Sequence, residues 1–155
     1  MNRVSRYLGL RDVCLDMDIA DKRSLFEAVG RHMHAEHSLS ANEVVQGLWR
    51  REQAGPTGIG EGVAIPHARI AGLEHILAYY ARLRSPLAFS TPDDRPVCDV
   101  LVLLVPKQAA KEHLELLADA TQMFALRRFR ERLHLCTRRE QVLALFSGRI
   151  DAASA

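Results

Sequence analysis

Gly58-Ile59-Gly60-Glu61-Gly62-Val63-Ala64-Ile65-Pro66-His67 is the stretch best suited to chemistry: three glycines at alternate positions lead into a short apolar run ending on a proline and a histidine. Glycine adopts backbone angles that other residues avoid and lets a ligand or partner approach the main chain. Proline fixes its own φ and biases Ile65 toward an extended conformation, so the next side chain is held in a narrow range of directions. That side chain is an imidazole, able to act as base, nucleophile or ligand near neutral pH. His67 is therefore the first candidate.

Nucleotide-type phosphate loops are excluded. Gly58, Gly60 and Gly62 do not follow the G-x-G-x-x-G spacing, and the local order reads helix, loop, strand where a dinucleotide fingerprint needs strand, loop, helix. No Gly-Lys-Ser or Gly-Lys-Thr, no G-x-S-x-G elbow and no H-E-x-x-H occurs. Cys14, Cys98 and Cys136 lie far apart and are odd in number, so they read as reduced thiols and not as a redox pair or a disulfide framework. What remains is a histidine that is itself the covalent group. His32, His34 and His37 crowd together like a metal tract, but His34 and His37 suit a helix C-terminus and no carboxylate or cysteine pattern accompanies them. No metal and no cofactor is assigned.

The elements that must position His67 follow from periodicity. Val13, Leu15, Met17 and Ile19 alternate with polar residues as in a half-buried strand, Cys14 being the exception. A helix starts near Asp21 or Lys22 with Leu25, Phe26, Val29 and Met33 along one side. Ser40-Ala41-Asn42-Glu43 fits a capping box, opening a second helix that buries Val44, Val45, Leu48 and Trp49 and closes at Arg50-Arg51-Glu52. After His67, residues 69–74 read as a connection and residues 75–81 as a strand, with turn chemistry at Ser85-Pro86 and across residues 91–96. Residues 97–105 are apolar at nearly every position, as in a central strand covered on both faces. From Lys111, Leu114, Leu117, Ala118, Thr121 and Phe124 recur at helical spacing, which places His113 in the first turn. A short helix follows at Phe129, Leu133 and Leu135, and its run of arginines reads as a solvated face in preference to a docking surface. Thr137-Arg138-Arg139-Glu140 opens a last helix that stops at Gly148, with residues 150–155 as a frayed tail.

The totals agree with one domain over residues 1–155. Against 19 acidic residues stand 21 basic ones, and a net +2 does not suggest a nucleic-acid partner. The first nine residues lack the apolar core of a signal peptide, and no stretch approaches a membrane span, so the expected location is the cytoplasm. Alternating strands and helices imply an α/β fold: a single-domain mixed sheet of about five strands with helices on both faces.

The glycine stretch through Pro66-His67 resembles the active-site signature of the fructose- and mannitol-type IIA domains of the bacterial phosphoenolpyruvate phosphotransferase system, in particular the nitrogen-regulatory branch. The likeness extends over Lys22-Arg23, Arg51-Glu52, Pro86-Leu87-Ala88-Phe89, Pro96-Val97-Cys98-Asp99, Val105-Pro106 and His113-Leu114. It implies that His67 accepts a phosphoryl group from an HPr-like phosphocarrier, that His113 is the second active-site histidine and that Arg51 faces the phosphate. A neutral imidazole can attack phosphorus in line, without nucleotide or metal. The resemblance also makes Thr57, Gly58, Gly60, Glu61 and Gly62 the loop beside the phosphate, where glycine amides can serve as donors. Many relatives carry glycine after the active histidine; Ala68 here implies an ordinary backbone conformation. Each side chain also has a plain structural role open to it: a satisfied loop histidine at 67, a helix-start residue at 113, a helix-end charge at 51. The resemblance implies a phosphohistidine carrier that controls partner proteins by its phosphorylation state. The alternatives are a sugar-permease IIA component passing phosphate to a IIB partner, and a binding module that is never phosphorylated.

Overall fold

The computed structural model describes residues 3–148. In chain order the elements are α1 (Val4–Tyr7), β1 (Leu8–Met17), α2 (Lys22–His37), α3 (Ala41–Ala54), β2 (Gly58–Gly60), β3 (Val63–Ala64), β4 (His67–Ile70), β5 (Leu77–Leu87), β6 (Val97–Pro106), α4 (Ala110–Ala125), α5 (Arg127–Leu135) and α6 (Arg139–Phe146). The expected frayed tail at residues 150–155 lies outside the described residues.

Six strands, one more than expected, form a mixed sheet in the order β1-β5-β6-β3-β2, with β4 also paired to β6. As its apolar run requires, β6 is central: β5 lies antiparallel on one side, and β3 and β4 lie parallel on the other. β3 meets Asp99 and Val100, and β4 meets Leu103 through Pro106, so the two form one line broken at Ile65-Pro66. Pro66 has no amide to donate. Its carbonyl still accepts from the Leu103 amide at 3.0 Å, and the line resumes at His67.

Three readings of the sequence are corrected. Residues 69 and 70 belong to β4 and not to a connection, because Ala68 and Ile70 turn inward and the free edge of β6 supplies partners. The glycine stretch is a hairpin: Glu61 and Gly62 both have positive φ, 58° and 77°, the two-residue turn whose twist matches paired strands. Ser85-Pro86 lies inside β5, at an irregularity between Arg82 and Leu87 that lets proline sit in a strand.

Helices cover both faces. One core joins Leu101, Leu103 and Val105 of β6 to Leu116, Phe124, Phe129, Leu133 and Phe146 of α4, α5 and α6. The other joins Val100, Val102 and Leu104 to Leu25, Phe26, Val29, Met33, Val44 and Leu48 of α2 and α3. Each fully buried large side chain contributes roughly 1.5–3 kcal/mol of transfer free energy. The α2 and α3 caps are as expected: Asp21 accepts from the Ser24 amide at 2.7 Å and Ser40 from that of Glu43 at 3.2 Å. β1 departs from simple alternation. Asp16 has φ 58°, so Leu15 packs with the first core and Met17 with the second.

The inward face of α4 is also corrected. His113, Leu116, Ala120 and Phe124 are buried, whereas Leu114 is 68% exposed. The rotation from the expected stripe brings the polar His113 under cover. The arginines of α5 are mainly structural or solvated: Arg130 donates to the Phe124 and Ala125 carbonyls at the end of α4, and Arg127 pairs with Glu131.

Candidate active site

His67, Arg51 and His113 come from three elements and meet beside β4. Pro66 and the pairing of β4 with β6 fix the backbone at His67. Its ring is then fixed by two contacts: Nδ1 lies 2.9 Å from the Ile65 carbonyl oxygen and Nε2 lies 2.9 Å from Arg51 Nε. A guanidinium can only donate. Nε2 is therefore the acceptor, and Nδ1 carries the proton and donates to Ile65. Burial holds the imidazole below its usual pKa, and the Arg51 charge adds to this against the opposing Ile65 hydrogen bond. His67 is neutral at physiological pH, with its lone pair toward the arginine.

Arg51 lies in the last turn of α3 and is anchored by its Nη1, which donates to the Gly55 carbonyl at 2.7 Å. Glu52, beside it, is 8% exposed and turns the other way. Its carboxylate accepts from Lys22 Nζ at 3.1 Å, from the Thr57 amide at 3.3 Å and from the Thr57 hydroxyl. One buried anion thus ties the start of α2 and the start of the hairpin to the end of α3, which keeps Arg51 aimed at His67.

The His113 ring stands edge-on to that of His67, with centroids 5.0 Å apart. Burial, with His67, Arg69 and Arg51 nearby, pushes its pKa down to about 4. His113 Nε2 is buried without a hydrogen-bond partner among the described residues. Such an atom is costly unless a ligand completes it.

A cleft of about 550 Å³ opens over this group, lined by His67, His113, Arg50, Arg51, Arg69 and Lys107, with Gly47, Ala54 and Ala68 as small neighbours. No carboxylate among the described residues lines it. It runs along β4, beside the carboxyl half of β6 and the Lys107 that follows it. Such a cleft suits a tetrahedral oxyanion held by planar and point-charge donors beside an acceptor nitrogen. A Cβ at Gly47 would lie 3.2 Å from both Ala68 Cβ and Ile70 Cδ1, so any larger residue there would crowd the packing of α3 on β4 by a few tenths of an ångström. Ala68 itself has no positive φ.

The sequence-predicted loop residues fall elsewhere. Thr57, Gly58, Gly60, Glu61 and Gly62 do not line the cleft. Thr57 is buried on Glu52, and Gly58 packs so tightly that a Cβ would lie 2.5 Å from Thr91 Cγ2. At the hairpin tip, the Glu61 amide donates to Asp93 at 2.8 Å and its carboxylate pairs with Arg95 at 2.7 Å. The glycines shape a hairpin that carries His67; their amides do not reach it. Sequence reasoning missed Arg69 and Lys107. Arg69 had a signal, since a residue two beyond His67 on a strand shares its face; its Nη1 donates to the Lys107 carbonyl at 2.8 Å. The sequence marks Glu52 only as a helix-closing residue and as part of a resemblance, and its positioning contacts emerge from the fold. His75 is exposed and outside the cleft.

Residues 7–148 match the family described as phosphoenolpyruvate-dependent sugar phosphotransferase system, EIIA 2. The chain is 40% identical over 93 residues to a nitrogen regulatory protein of Pseudomonas aeruginosa, a match spanning 60% of either chain. A crystal structure of nitrogen regulatory protein IIA-Ntr from Neisseria meningitidis superposes with a TM-score of 0.87 at 39% identity, covering 92% of this chain and 97% of that one. The mannitol IIA of Escherichia coli, solved with its phosphorylated IIB, shares the fold at 21% identity and a TM-score of 0.75, over 91% of this chain and 97% of that one. No helix among the described residues is long and apolar enough to cross a membrane. With its sheet order, its paired histidines and a family match over nearly its whole length, the chain belongs to the EIIA 2 family of the phosphoenolpyruvate-dependent sugar phosphotransferase system.

Proposed function

We propose that this chain acts as one cytoplasmic domain that accepts a phosphoryl group on His67 Nε2 from an HPr-like phosphocarrier and controls partner proteins by its phosphorylation state. The observation that carries this is the neutral His67 ring, its Nδ1–H fixed on Ile65 and its Nε2 lone pair facing a carboxylate-free cationic cleft. Nε2 attacks phosphorus in line, a new N–P bond forms, and the donor's N–P bond breaks with its electron pair returning to the donor imidazole. The Nδ1–H···O=C hydrogen bond supports the positive charge that develops on the His67 ring. Arg51 leaves Nε2 as phosphorus arrives and turns its planar fork to the phosphoryl oxygens, while His113 donates to another from the nitrogen that otherwise has no partner. Arg69 and Lys107 offset the remaining charge. Phosphorylation converts a cationic cleft into one carrying an anion, which favours some protein surfaces and repels others.

Relatives near 40% identity carry a nitrogen regulatory name, which supports regulation as the output. A second reading is sugar uptake through a IIB partner. It draws on the 29% identity, over 85% of this chain, to the 2-O-alpha-mannosyl-D-glycerate-specific EIIABC component of Escherichia coli.

The test is incubation with phosphoenolpyruvate, enzyme I and an HPr-like carrier, followed by intact mass and a check for acid-labile, base-stable phosphate. One phosphoryl group on the wild-type chain and none on His67→Gln is expected. No label on the wild type would remove the carrier reading, and rapid onward transfer to a IIB domain would favour sugar uptake.

A further inference from the structure

Asp12 lies in the edge strand β1, and its side chain is almost fully covered. Two imidazoles from the last turns of α2 converge on it. His32 Nε2 is 2.7 Å from Asp12 Oδ1, and His37 Nε2 is 2.9 Å from the same oxygen and 3.1 Å from Oδ2. Together these atoms lie within 4.8 Å of one another, and the two rings retain partial access to solvent. In the sequence the crowded histidines carry no metal assignment because no carboxylate or cysteine pattern at ligand spacing accompanies them. The fold supplies a carboxylate, twenty residues before His32. His34 is not part of the group; its Nδ1 contacts the Leu39 carbonyl at 3.1 Å.

We propose that Asp12, His32 and His37 form a binding site for a divalent transition-metal ion of the zinc type, separate from the phosphotransfer cleft. Two neutral imidazole nitrogens and one carboxylate oxygen, with a water as fourth ligand, are a common zinc donor set. A tetrahedral ion needs ligand atoms about 3.3 Å apart at ordinary zinc bond lengths. The present contacts at 2.7 and 2.9 Å would open by roughly half an ångström, within the reach of small ring rotations. The edge of Tyr79 against His32, with centroids 4.8 Å apart, limits that ring's freedom and preorganises the site. Binding requires Nε2 of each histidine to give up its proton, either to Nδ1 or to solvent. At His37 this puts a proton on Nδ1, where Arg11 Nη2 now stands at 3.4 Å. Arg11 is largely exposed and pairs only loosely with Glu36 at 3.8 Å, so it can swing away. The bound ion clamps the edge strand to the end of α2.

A second cluster, Cys98, Asp99 and His134, has the same kind of composition but is a poorer site. The second oxygen of Asp99 is taken by the Tyr80 hydroxyl at 2.6 Å, and Arg95 and Arg130 stand close by. Burial, with the Asp99 charge, pushes the Cys98 thiol up to about 11, so a thiolate ligand is hard to form.

The test uses the full, tag-free chain stripped of metal by chelator. It is titrated with zinc chloride against a chromophoric competitor and, separately, with cobalt chloride, whose visible spectrum reports four-coordination. One zinc per chain is expected, with a rise in melting temperature. Asp12→Asn and His37→Gln, each checked for native circular dichroism, are expected to weaken binding roughly tenfold or more, and His134→Gln to leave it unchanged. Arg11→Glu is expected to tighten it, because a carboxylate can hold the Nδ1–H of His37 where a guanidinium cannot. The proposal is overturned by the absence of saturable binding to the wild type. It is equally overturned by wild-type binding in folded Asp12→Asn and His37→Gln, or by binding lost on His67→Gln or His134→Gln.

Discussion

The two ends of β6 carry histidines that face opposite charges. Toward its carboxyl end, in register with Leu103, His67 meets Arg51 with its Nε2 as an acceptor, and burial and the arginine lower its pKa. Near its amino end, His134 Nε2 donates to the fully buried Asp99 at 2.7 Å, and that hydrogen bond raises its pKa against partial burial. The side chains are alike, but the partner decides what each can do. A guanidinium keeps the imidazole neutral with a lone pair free for attack, whereas a carboxylate makes it a donor and favours its cation. The proposed chemistry therefore belongs to His67, although His134 is the more exposed ring.

The sharpest break between the two ends is expected from paired substitutions. His67→Gln should abolish phosphoryl acceptance, and His134→Gln should leave its rate within about twofold, as read by intact mass over time. Next in size, Arg51→Ala is expected to slow transfer by about a hundredfold, the usual loss when one charged donor to a developing oxyanion is removed. In the same variant the pKa of His67 should rise, because a charge that lowers it is gone; NMR titration of the ring measures this. At the other end, Asp99→Asn should destabilise the fold by about 1–3 kcal/mol in urea unfolding, since it weakens two partners of a buried carboxylate. The His134 pKa should fall, with transfer unaffected.

The remaining expected effects are in pH dependence, and they have opposite signs. His113 titrates near 4 in the folded chain and about 6.5 unfolded, so between those values the unfolded chain binds the extra proton. Stability from this group is present above about pH 6.5 and is lost as pH falls toward 4. His134 has a raised folded pKa, so its contribution is present below about pH 6.5 and is lost as pH rises through the folded value. Urea midpoints across pH should show a shallower acid slope in His113→Gln and a shallower alkaline slope in His134→Gln.

Much of the fold was legible because its signals are local. The alternation in β1, the caps at Asp21 and Ser40 and the apolar run of β6 each depend on a few neighbouring residues. β4 was not legible, since four residues with two inward side chains mark no period and its partner lies more than thirty residues on. The buried face of α4 was misread because apolar Leu114 is exposed and polar His113 is covered. In the site, Pro66-His67 carries its own signal, while Arg51 and His113 came through family likeness. The hairpin glycines were read as donors because sequence shows their freedom but not their direction. Lys107, the contacts of Glu52 and the meeting of Asp12 with His32 and His37 depend on long-range packing and left no local trace.

Nitrogen NMR of uniformly labelled, phosphorylated protein tests most directly whether the His67 lone pair is the reactive one. Phosphorus–nitrogen coupling is expected at His67 Nε2, with Nδ1 still protonated and hydrogen-bonded to Ile65. Coupling at Nδ1, or a phosphoryl group on any other histidine, would contradict it.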